Sequence, residues 1–157
     1  MNITILMVGS TSETFVNDGY TLFIKRLKHY IKVKEVILAD IKDRKHLNPD
    51  QVKDREAIAI LEKINTANFS VLLDEHGKEF SSVEFAGFLQ KTMNAGTKEL
   101  LFIIGGAYGV AESVKQKVDF TISLSRMTFT HQFIRLLFAE QLYRAMTILR
   151  NEPYHNE

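Results

Sequence analysis

Short apolar runs alternate with stretches of helical apolar spacing along the whole chain. Five runs, each followed by a glycine, serine or aspartate, are predicted as buried strands at residues 3–8, 33–39, 69–73, 100–104 and 120–124. Between them, apolar residues recur every three or four positions and predict helices over 15–31, around Ile58 to Ile64, from 81 through Met93, over 111–117 and over 131–150. Strands that alternate with helices predict an α/β fold with a mostly parallel sheet and helices on both faces.

Three of the predicted helices have a local start signal. Residues 10–13 (STSE) and 81–84 (SSVE) match the capping box, in which a serine and a glutamate three positions later satisfy free amides at a helix start. Asp50 is predicted to cap the helix that carries Ile58, Leu61 and Ile64. The preceding polar stretch, DIKDRKHLNP at residues 40–49, is predicted to be a loop.

Ligands of parallel sheets bind beyond the carboxyl ends of strands, and three predicted turns lie there. They are residues 74–77, 105–109 (GGAYG) and 123–129 (SLSRMTF). The glycine turn is not G-x-G-x-x-G, has no P-loop lysine and follows a late strand, which disfavours a phosphate cradle. A purely structural tight turn remains possible, because glycine permits both a positive φ and close backbone approach.

Few side chains point to chemistry by residue type alone. His131 and His155 invite a catalytic interpretation, but residue type alone favours His131 as a first-turn helix residue that hydrogen-bonds to a neighbour. Asp74, Glu75 and His76 are adjacent and have no distant partner at ligand spacing, so we expect no metal site. Neither G-x-S-x-G nor H-E-x-x-H occurs, and the chain has no cysteine, which excludes disulfides and thiolate sites.

Length and charge restrict the picture further. The 157 residues are expected to form a single domain, residues 1–157, and the net charge of +1 argues against generic high-affinity binding of nucleic acid. Local charge is uneven, because residues 25–34, the basic run, hold six basic side chains before Glu35. This run is either a solvated helix face or a phosphate-contacting patch. Without a signal peptide or a long apolar stretch, the predicted location is cytoplasmic.

The last predicted helix carries more apolar surface than one stripe requires. Either it is packed on all sides in the core, or one side contacts a second copy of the chain. Glu140 and Arg144 are spaced to pair on this helix. The segment that follows, NEPYHNE, is unusual for a terminus because it carries Pro153, Tyr154 and His155.

Several segments together resemble a known family. They are IGGAYGV at residues 104–110, SLSRMTFTHQFIRLLFAEQLYRA at 123–145, NEPYH at 151–155, LLDEHGK at 72–78 and ITILMVG at 3–9. The sequence is similar to the ribosomal RNA large subunit methyltransferase H family, which methylates N3 of a pseudouridine in 23S rRNA and belongs to the SPOUT class. The resemblance is strongest over 123–155; the first half matches mainly in its layout of elements.

The resemblance implies a C-terminal trefoil knot that gathers the three turns around S-adenosylmethionine. Carried over by position, the implied cofactor contacts are Leu73, Gly105, Gly106, Gly109, Leu124, Ser125, Arg126, Met127, Thr128 and Phe129. The implied catalytic residues, which would face the base, are Arg144, Tyr154 and His155. No metal is implied. An aromatic ring suits this role because RNA bases stack on aromatic side chains.

The resemblance also implies partners. It implies a homodimer whose interface includes the last helix, an active site drawn from both chains, and the ribosome with its 23S rRNA as substrate. The basic run is then the candidate for rRNA contact. Two other functions stay open at this stage: a SPOUT methyltransferase of another RNA such as tRNA, and a ribosome-binding factor without methyltransferase activity.

Overall fold

A computed structural model describes residues 1–41 and 44–155. Over these ranges the chain forms five strands: β1 Asn2–Val8, β2 Lys32–Leu38, β3 Phe69–Glu79, β4 Glu99–Ile104 and β5 Phe120–Ser123. It forms five α-helices and one short 3₁₀ helix: α1 Thr14–Leu27, the 3₁₀ turn Arg44–His46, α2 Pro49–Ile64, α3 Ser82–Asn94, α4 Glu112–Lys117 and α5 Phe133–Leu149. Parts of the predicted loop and of the terminal segment, residues 42–43 and 156–157, lie outside the described residues.

The strands build one parallel sheet in the order β2-β1-β4-β3-β5. The two central strands β1 and β4 are buried along almost their whole length, which explains why both read as continuous apolar runs. The predicted parallel α/β fold is therefore confirmed. The trefoil knot that the resemblance implies stays a prediction.

Two hydrophobic layers cover the sheet. Alternate side chains of β1 enter opposite layers: Ile5 packs in the larger cluster with α1, α3 and α5, and Leu6 in the smaller one with α2 and α4. The aromatic core of the larger layer centres on Phe102 and Phe138, whose ring centroids are 4.8 Å apart. Helices thus protect both faces, as the alternating pattern predicted. None of the helices within residues 1–41 and 44–155 has the length and apolar character that a bilayer span requires.

The local start signals were right once and wrong twice. The capping box at Ser81 is present, with Ser81 Oγ accepting from the Glu84 amide at 3.2 Å and the Glu84 carboxylate accepting from the Ser81 amide at 2.7 Å. Asp50 does not cap α2. That helix begins one residue before it, because Asn48 accepts from the Gln51 amide at 2.9 Å and Pro49 occupies the first helical position.

The capping box predicted at residues 10–13 does not form. Helix α1 begins at Thr14 without a side-chain cap of its own. The side-chain oxygen of Gln132, from the start of α5, accepts from the Ser12 amide at 2.9 Å and from the Glu13 amide at 3.1 Å. A distant residue therefore binds the Glu13 amide, which Ser10 was expected to bind, and holds the segment just before the helix. The predicted apolar face of α2 was also partly wrong, since Ile58 is 65% exposed.

Candidate functional site

A cavity of about 450 Å³ opens at the carboxyl edge of the sheet, where β3, β4 and β5 end. Its walls come from residues 73–76, from the glycine turn at 104–110, and from 122–129 together with the start of α5. These are the three regions that the sequence placed beyond strand ends. A concave site of this volume, mostly preformed, is of the size that binds a small organic molecule.

The glycine turn presents backbone to this cavity. Gly109 has a φ of +78°, and its amide donates to the Gly106 carbonyl oxygen at 3.0 Å, which closes a tight turn. A Cβ on Gly105 would lie 2.9 Å from Val110 Cγ1 and 3.0 Å from the Gly109 carbonyl carbon. No side chain fits there without a backbone shift, so a ligand at this wall meets peptide groups.

The segment at residues 74–77 is not the turn that the sequence predicted. Strand β3 continues through it as an irregularity and resumes pairing with β5 at Lys78, opposite Ile122. The crossing is close, because a Cβ on Gly77 would lie 2.5 Å from the carbonyl carbon of Ile122. Only glycine allows this approach, and the resulting bulge directs Asp74 toward the cavity.

Asp74 is a fixed negative charge in the cavity wall. Its carboxylate accepts from the His76 amide at 3.0 Å and lies 3.0 Å from Lys115 Nζ, while His76 Nδ1 lies 2.9 Å away. Burial by itself would raise the pKa of Asp74, but the His76 hydrogen bonds and Lys115 outweigh it and lower the pKa. The residues that the structure describes contain no group of three or more potential metal ligands.

Serine side chains shape the third wall. Ser123 Oγ donates to the Ser125 carbonyl oxygen at 2.8 Å, and Ser125 Oγ accepts from the Met127 amide at 2.9 Å. These bonds hold the chain in tight bends after β5. Arg126 is directed elsewhere: within the described part of the chain it is not among the lining residues, and its Nε lies 3.4 Å from the Glu79 carboxylate.

The cavity therefore brings together nine of the ten predicted cofactor contacts. These are Leu73, Gly105, Gly106, Gly109, Leu124, Ser125, Met127, Thr128 and Phe129. Among the other described residues that line it, four come from helices or a helix start that the sequence did not connect with this site: Lys53, Lys115, His131 and Ile134. Spacing gave no signal for the lysines, because each comes from a helix whose predicted role was only packing.

Both lysines of the cavity lining have an acidic partner. Lys53 Nζ lies 2.8 Å from the Asp50 carboxylate, and Lys115 pairs with Asp74. Their positive charges are therefore already compensated, which removes the main attraction that a phosphate ligand needs. Peptide groups and apolar walls suit a largely uncharged ring system instead.

The predicted catalytic residues form a second group, the tail cluster, which comprises Glu140, Arg144, Tyr154 and His155. Arg144 Nη2 donates to the Glu140 carboxylate at 2.6 Å, and the Tyr154 hydroxyl donates to the same oxygen at 3.0 Å. The Arg144 guanidinium carbon lies 4.8 Å from the centroid of the Tyr154 ring, and Arg144 Nη1 lies 3.4 Å from His155 Nδ1. The terminal segment is thus folded back onto α5.

Electrostatics in the tail cluster fix two protonation states. Burial, followed by the hydrogen bond to Glu140, raises the pKa of Tyr154, so its phenol stays protonated at neutral pH. The hydrogen bond to Glu140 also raises the pKa of Arg144, which remains a cation. The cluster therefore offers a neutral hydroxyl and a positive guanidinium side by side.

The tail cluster and the cavity lie apart within one copy of the chain. Among the described residues, none of the predicted catalytic ones lines the cavity. Ile134 lines it, and Arg144 follows ten positions later on the same helix, a rise of about 15 Å. A single copy therefore separates the ligand cavity from the side chains predicted to do chemistry.

The basic run borders the tail cluster. The Arg26 guanidinium carbon, at the end of α1, lies 5.6 Å from the Phe23 ring centroid and 5.7 Å from that of Tyr143. Tyr143 in turn meets Tyr154 edge-to-face at 4.8 Å. The basic run thus has an aromatic connection to the tail cluster, which a lone solvated helix face would not require.

The sequence matches a family model described as a predicted SPOUT methyltransferase over residues 1–155. Among curated proteins, the chain is 47% identical to a ribosomal RNA large subunit methyltransferase H of Christiangramia forsetii, covering 99% of each chain. It is 46% identical to the protein of the same name from Porphyromonas gingivalis and 49% identical to that from Flavobacterium psychrophilum, covering 100% of each chain in both cases.

Solved structures with similar folds are far more distant in sequence. A tRNA (m1G37) methyltransferase from Aquifex aeolicus superimposes with a TM-score of 0.58 at 16% identity, over 100% of this chain and 76% of the other. A probable methylase family protein from Haemophilus influenzae gives a TM-score of 0.53 at 12% identity, over 96% of this chain and 66% of the other. At these identities the likeness shows a shared fold.

Proposed function

The chain belongs to the SPOUT methyltransferases and, within them, to the ribosomal RNA large subunit methyltransferase H family, and on this premise we propose that it methylates large-subunit rRNA with S-adenosylmethionine as donor. The observation that carries the proposal is the cavity. Nine of the ten residues that the resemblance implies as cofactor contacts, drawn from three separate segments, line one space at the carboxyl edge of the sheet.

The residues of the cavity fit the proposed donor. Adenine is flat and uncharged, which suits the peptide groups of the glycine turn and apolar walls such as Leu73 and Leu124. The donor carries no phosphate, in keeping with lysines whose charge is already paired. When bound, S-adenosylmethionine supplies an electrophilic methyl group on a sulfonium centre. The role of the cavity is to hold that methyl in line with the incoming nucleophile, a positional effect of about 7–11 kcal/mol at best.

The tail cluster provides the groups for the acceptor, which we take to be N3 of a pseudouridine. In this proposal the Tyr154 ring stacks on the uracil-like ring, or its hydroxyl, protonated at neutral pH, exchanges its hydrogen bond to Glu140 for one to that ring. The Arg144 guanidinium is positioned to stabilise the negative charge that develops when the N3 proton leaves. His155, in contact with Arg144, completes the set of groups available for this proton transfer.

A second copy of the chain would bring the two groups together. Because the cavity and the tail cluster lie about 15 Å apart along α5, a homodimer through the α5 region would place the tail cluster of one copy over the cavity of the other. Exposed apolar side chains support such an interface, since Met127, Phe129 and Phe133 surround the cavity mouth and the start of α5.

The basic run supplies the proposed contact with rRNA. Lys25, Arg26 and Lys28 are exposed, and Arg26 is connected to the tail cluster through Tyr143. Basic side chains of this kind bind the phosphate backbone and position the substrate. With the assembled ribosome as substrate, binding does not require a large positive net charge on the chain. The proposed reaction takes place in the bacterial cytoplasm.

Mass mapping of 23S rRNA tests the function directly. Ribosomes from a deletion strain are incubated with the purified chain and S-adenosylmethionine, and the rRNA is mapped before and after. The expected product is one added methyl group on one pseudouridine, with no product from a Gly105→Val control. Methylation of tRNA with no change in 23S rRNA would overturn the proposal.

A further inference from the structure

A fully buried arginine joins two distant parts of the chain beside the cavity. Arg135, in the first turn of α5, is 0% exposed. Its Nη2 donates to the Val8 carbonyl oxygen at 2.5 Å, its Nη1 donates to Gly9 O at 2.9 Å and to Thr11 Oγ1 at 2.8 Å, and its Nε donates to His131 O at 3.1 Å. All four acceptors are neutral oxygens.

Such an arginine is poorly explained by stability alone. Removing a guanidinium from water is costly, and apolar side chains of similar volume often stabilise a core equally well or better. What Arg135 provides, and an apolar side chain does not, is a set of directed donors that fix the positions of four backbone and side-chain oxygens.

Gln132 extends the same connection toward the surface. Its side-chain oxygen accepts from the Ser12 and Glu13 amides, and its Nε2 lies 3.0 Å from Ser12 Oγ. Arg135 and Gln132, here called the clamp, therefore hold the loop after β1, residues 8–13, against the start of α5.

The clamp lies directly behind two walls of the cavity. His131, whose carbonyl oxygen Arg135 holds, lines the cavity itself, and the lining segment 124–129 ends two residues before it. On the other side, Val8 supports the glycine turn, because a Cβ on Gly106 would lie 3.3 Å from Val8 Cγ1. One cluster of hydrogen bonds thus sets the separation between the third wall and the glycine turn.

We propose that Arg135 and Gln132 are positioning residues of the cofactor cavity, which fix the segment 124–131 relative to the glycine turn without contacting the cofactor. The inference rests on the proposed function only in taking S-adenosylmethionine as the ligand. It adds a part of the chain, the loop after β1, to the parts on which cofactor affinity depends.

Calorimetric titration of S-adenosylmethionine into purified variants, with thermal unfolding recorded alongside, tests the clamp. Arg135→Met keeps much of the volume and removes the donors, and it is expected to stay folded while its Kd rises about tenfold or more, since the cavity wall at the start of α5 loses the hydrogen bonds that hold it in its binding geometry. At saturating cofactor, the kcat of this variant is expected to be close to the wild-type value. The substitution should therefore raise KM for the cofactor and leave kcat nearly unchanged.

Gln132 provides a matched pair that does not depend on the buried site. Gln132→Glu keeps both acceptor bonds and is expected to bind with the wild-type Kd, whereas Gln132→Leu loses them and is expected to bind several-fold more weakly. If Arg135→Met does not fold, the comparison of Gln132→Glu with Gln132→Leu still tests the clamp. Wild-type affinity in a folded Arg135→Met variant, or in Gln132→Leu, would overturn the clamp. A wild-type chain that binds the cofactor but methylates no rRNA would overturn the proposed function and leave the clamp result standing.

Discussion

The cavity and the tail cluster are built on opposite principles. The cavity is formed largely by peptide groups, glycines and apolar side chains at three strand ends, and both lysines that line it, Lys53 and Lys115, are paired with aspartates. The tail cluster consists of four polar side chains on one helix and the segment after it, all joined through Glu140 or Arg144. In the proposed function, the cavity holds the cofactor, and the tail cluster assists removal of the proton from the base. Substitutions in the two regions should therefore fail in different ways.

Substitution of Tyr154 is expected to separate catalysis from cofactor binding most clearly. Tyr154→Ala removes the ring that Arg144 covers, and kcat for rRNA methylation should fall by about 10³-fold, in the range for loss of a positioned proton-transfer group. Tyr154→Phe keeps the ring and should lose less. Titration of S-adenosylmethionine should give the wild-type Kd for both variants. Unchanged turnover in the alanine variant would remove Tyr154 from the catalytic set.

Mixed dimers test whether the two regions act across copies. Gly105→Val blocks the cavity wall and Tyr154→Ala disables the tail cluster, so each homodimer should be inactive. After equimolar mixing and exchange, half of the dimers are mixed and each has one intact composite site, so activity should return to about a quarter of wild type. Activity that stays at the background level after confirmed exchange would show that each copy works alone. Circular dichroism of the valine variant checks that it is folded.

The basic run should affect substrate binding more than chemistry. Neutralising Lys25, Arg26 and Lys28 to glutamine should raise KM for ribosomes by about tenfold and reduce the slope of log affinity against log salt by about 2. A control variant with Lys63, Lys91 and Lys98 changed to glutamine removes equal charge from exposed sites elsewhere. Equal effects in the two variants would reduce the basic run to a solvated face.

The smallest effect is expected at Asp74, within the cavity wall. Its pKa is lowered in the folded chain, so its ionised form favours folding at pH values above the unfolded pKa, and this contribution is lost as pH falls through the folded pKa. Urea unfolding should therefore show Asp74→Asn less stable than wild type by about 1 kcal/mol at pH 7, with the difference lost as pH falls through the lowered folded pKa of Asp74. If the difference in unfolding free energy persists at low pH, Asp74 stabilises the fold through its shape and not through its charge.

The parts of the fold that follow from local pattern were predictable, and the parts that follow from distant contacts were not. Apolar runs located all five strands, and the rule for parallel sheets located the cavity. Residues 74–77 looked like a turn because their composition is polar, but pairing with β5 at Ile122 keeps them in β3. The start of α1 looked self-capped, yet the helix has no side-chain cap, and the amides of Ser12 and Glu13 just before it donate to Gln132.

The candidate site likewise has parts that the sequence predicted and parts that it did not. Position and resemblance identified the glycine turn and the tail residues, but not the ion pair of Lys115 with Asp74 or the interior position of Arg135. Nothing in the spacing around Arg135 distinguishes it from a surface arginine on an amphipathic helix. Three of its four acceptors lie at Val8, Gly9 and Thr11, more than 120 positions earlier, and only the folded chain brings them into reach.

The same span has a consequence for synthesis of the protein. The loop after β1 is made well before the arginine that fixes it, and before the last wall of the cavity, because 127 positions separate Val8 from Arg135. Domains fold as units while chains grow from the N-terminus, so the early strands emerge with this loop still unanchored. A nascent chain that ends before α5 has no complete cofactor cavity. The ability to bind a methyl donor therefore arises only after α5 has been made.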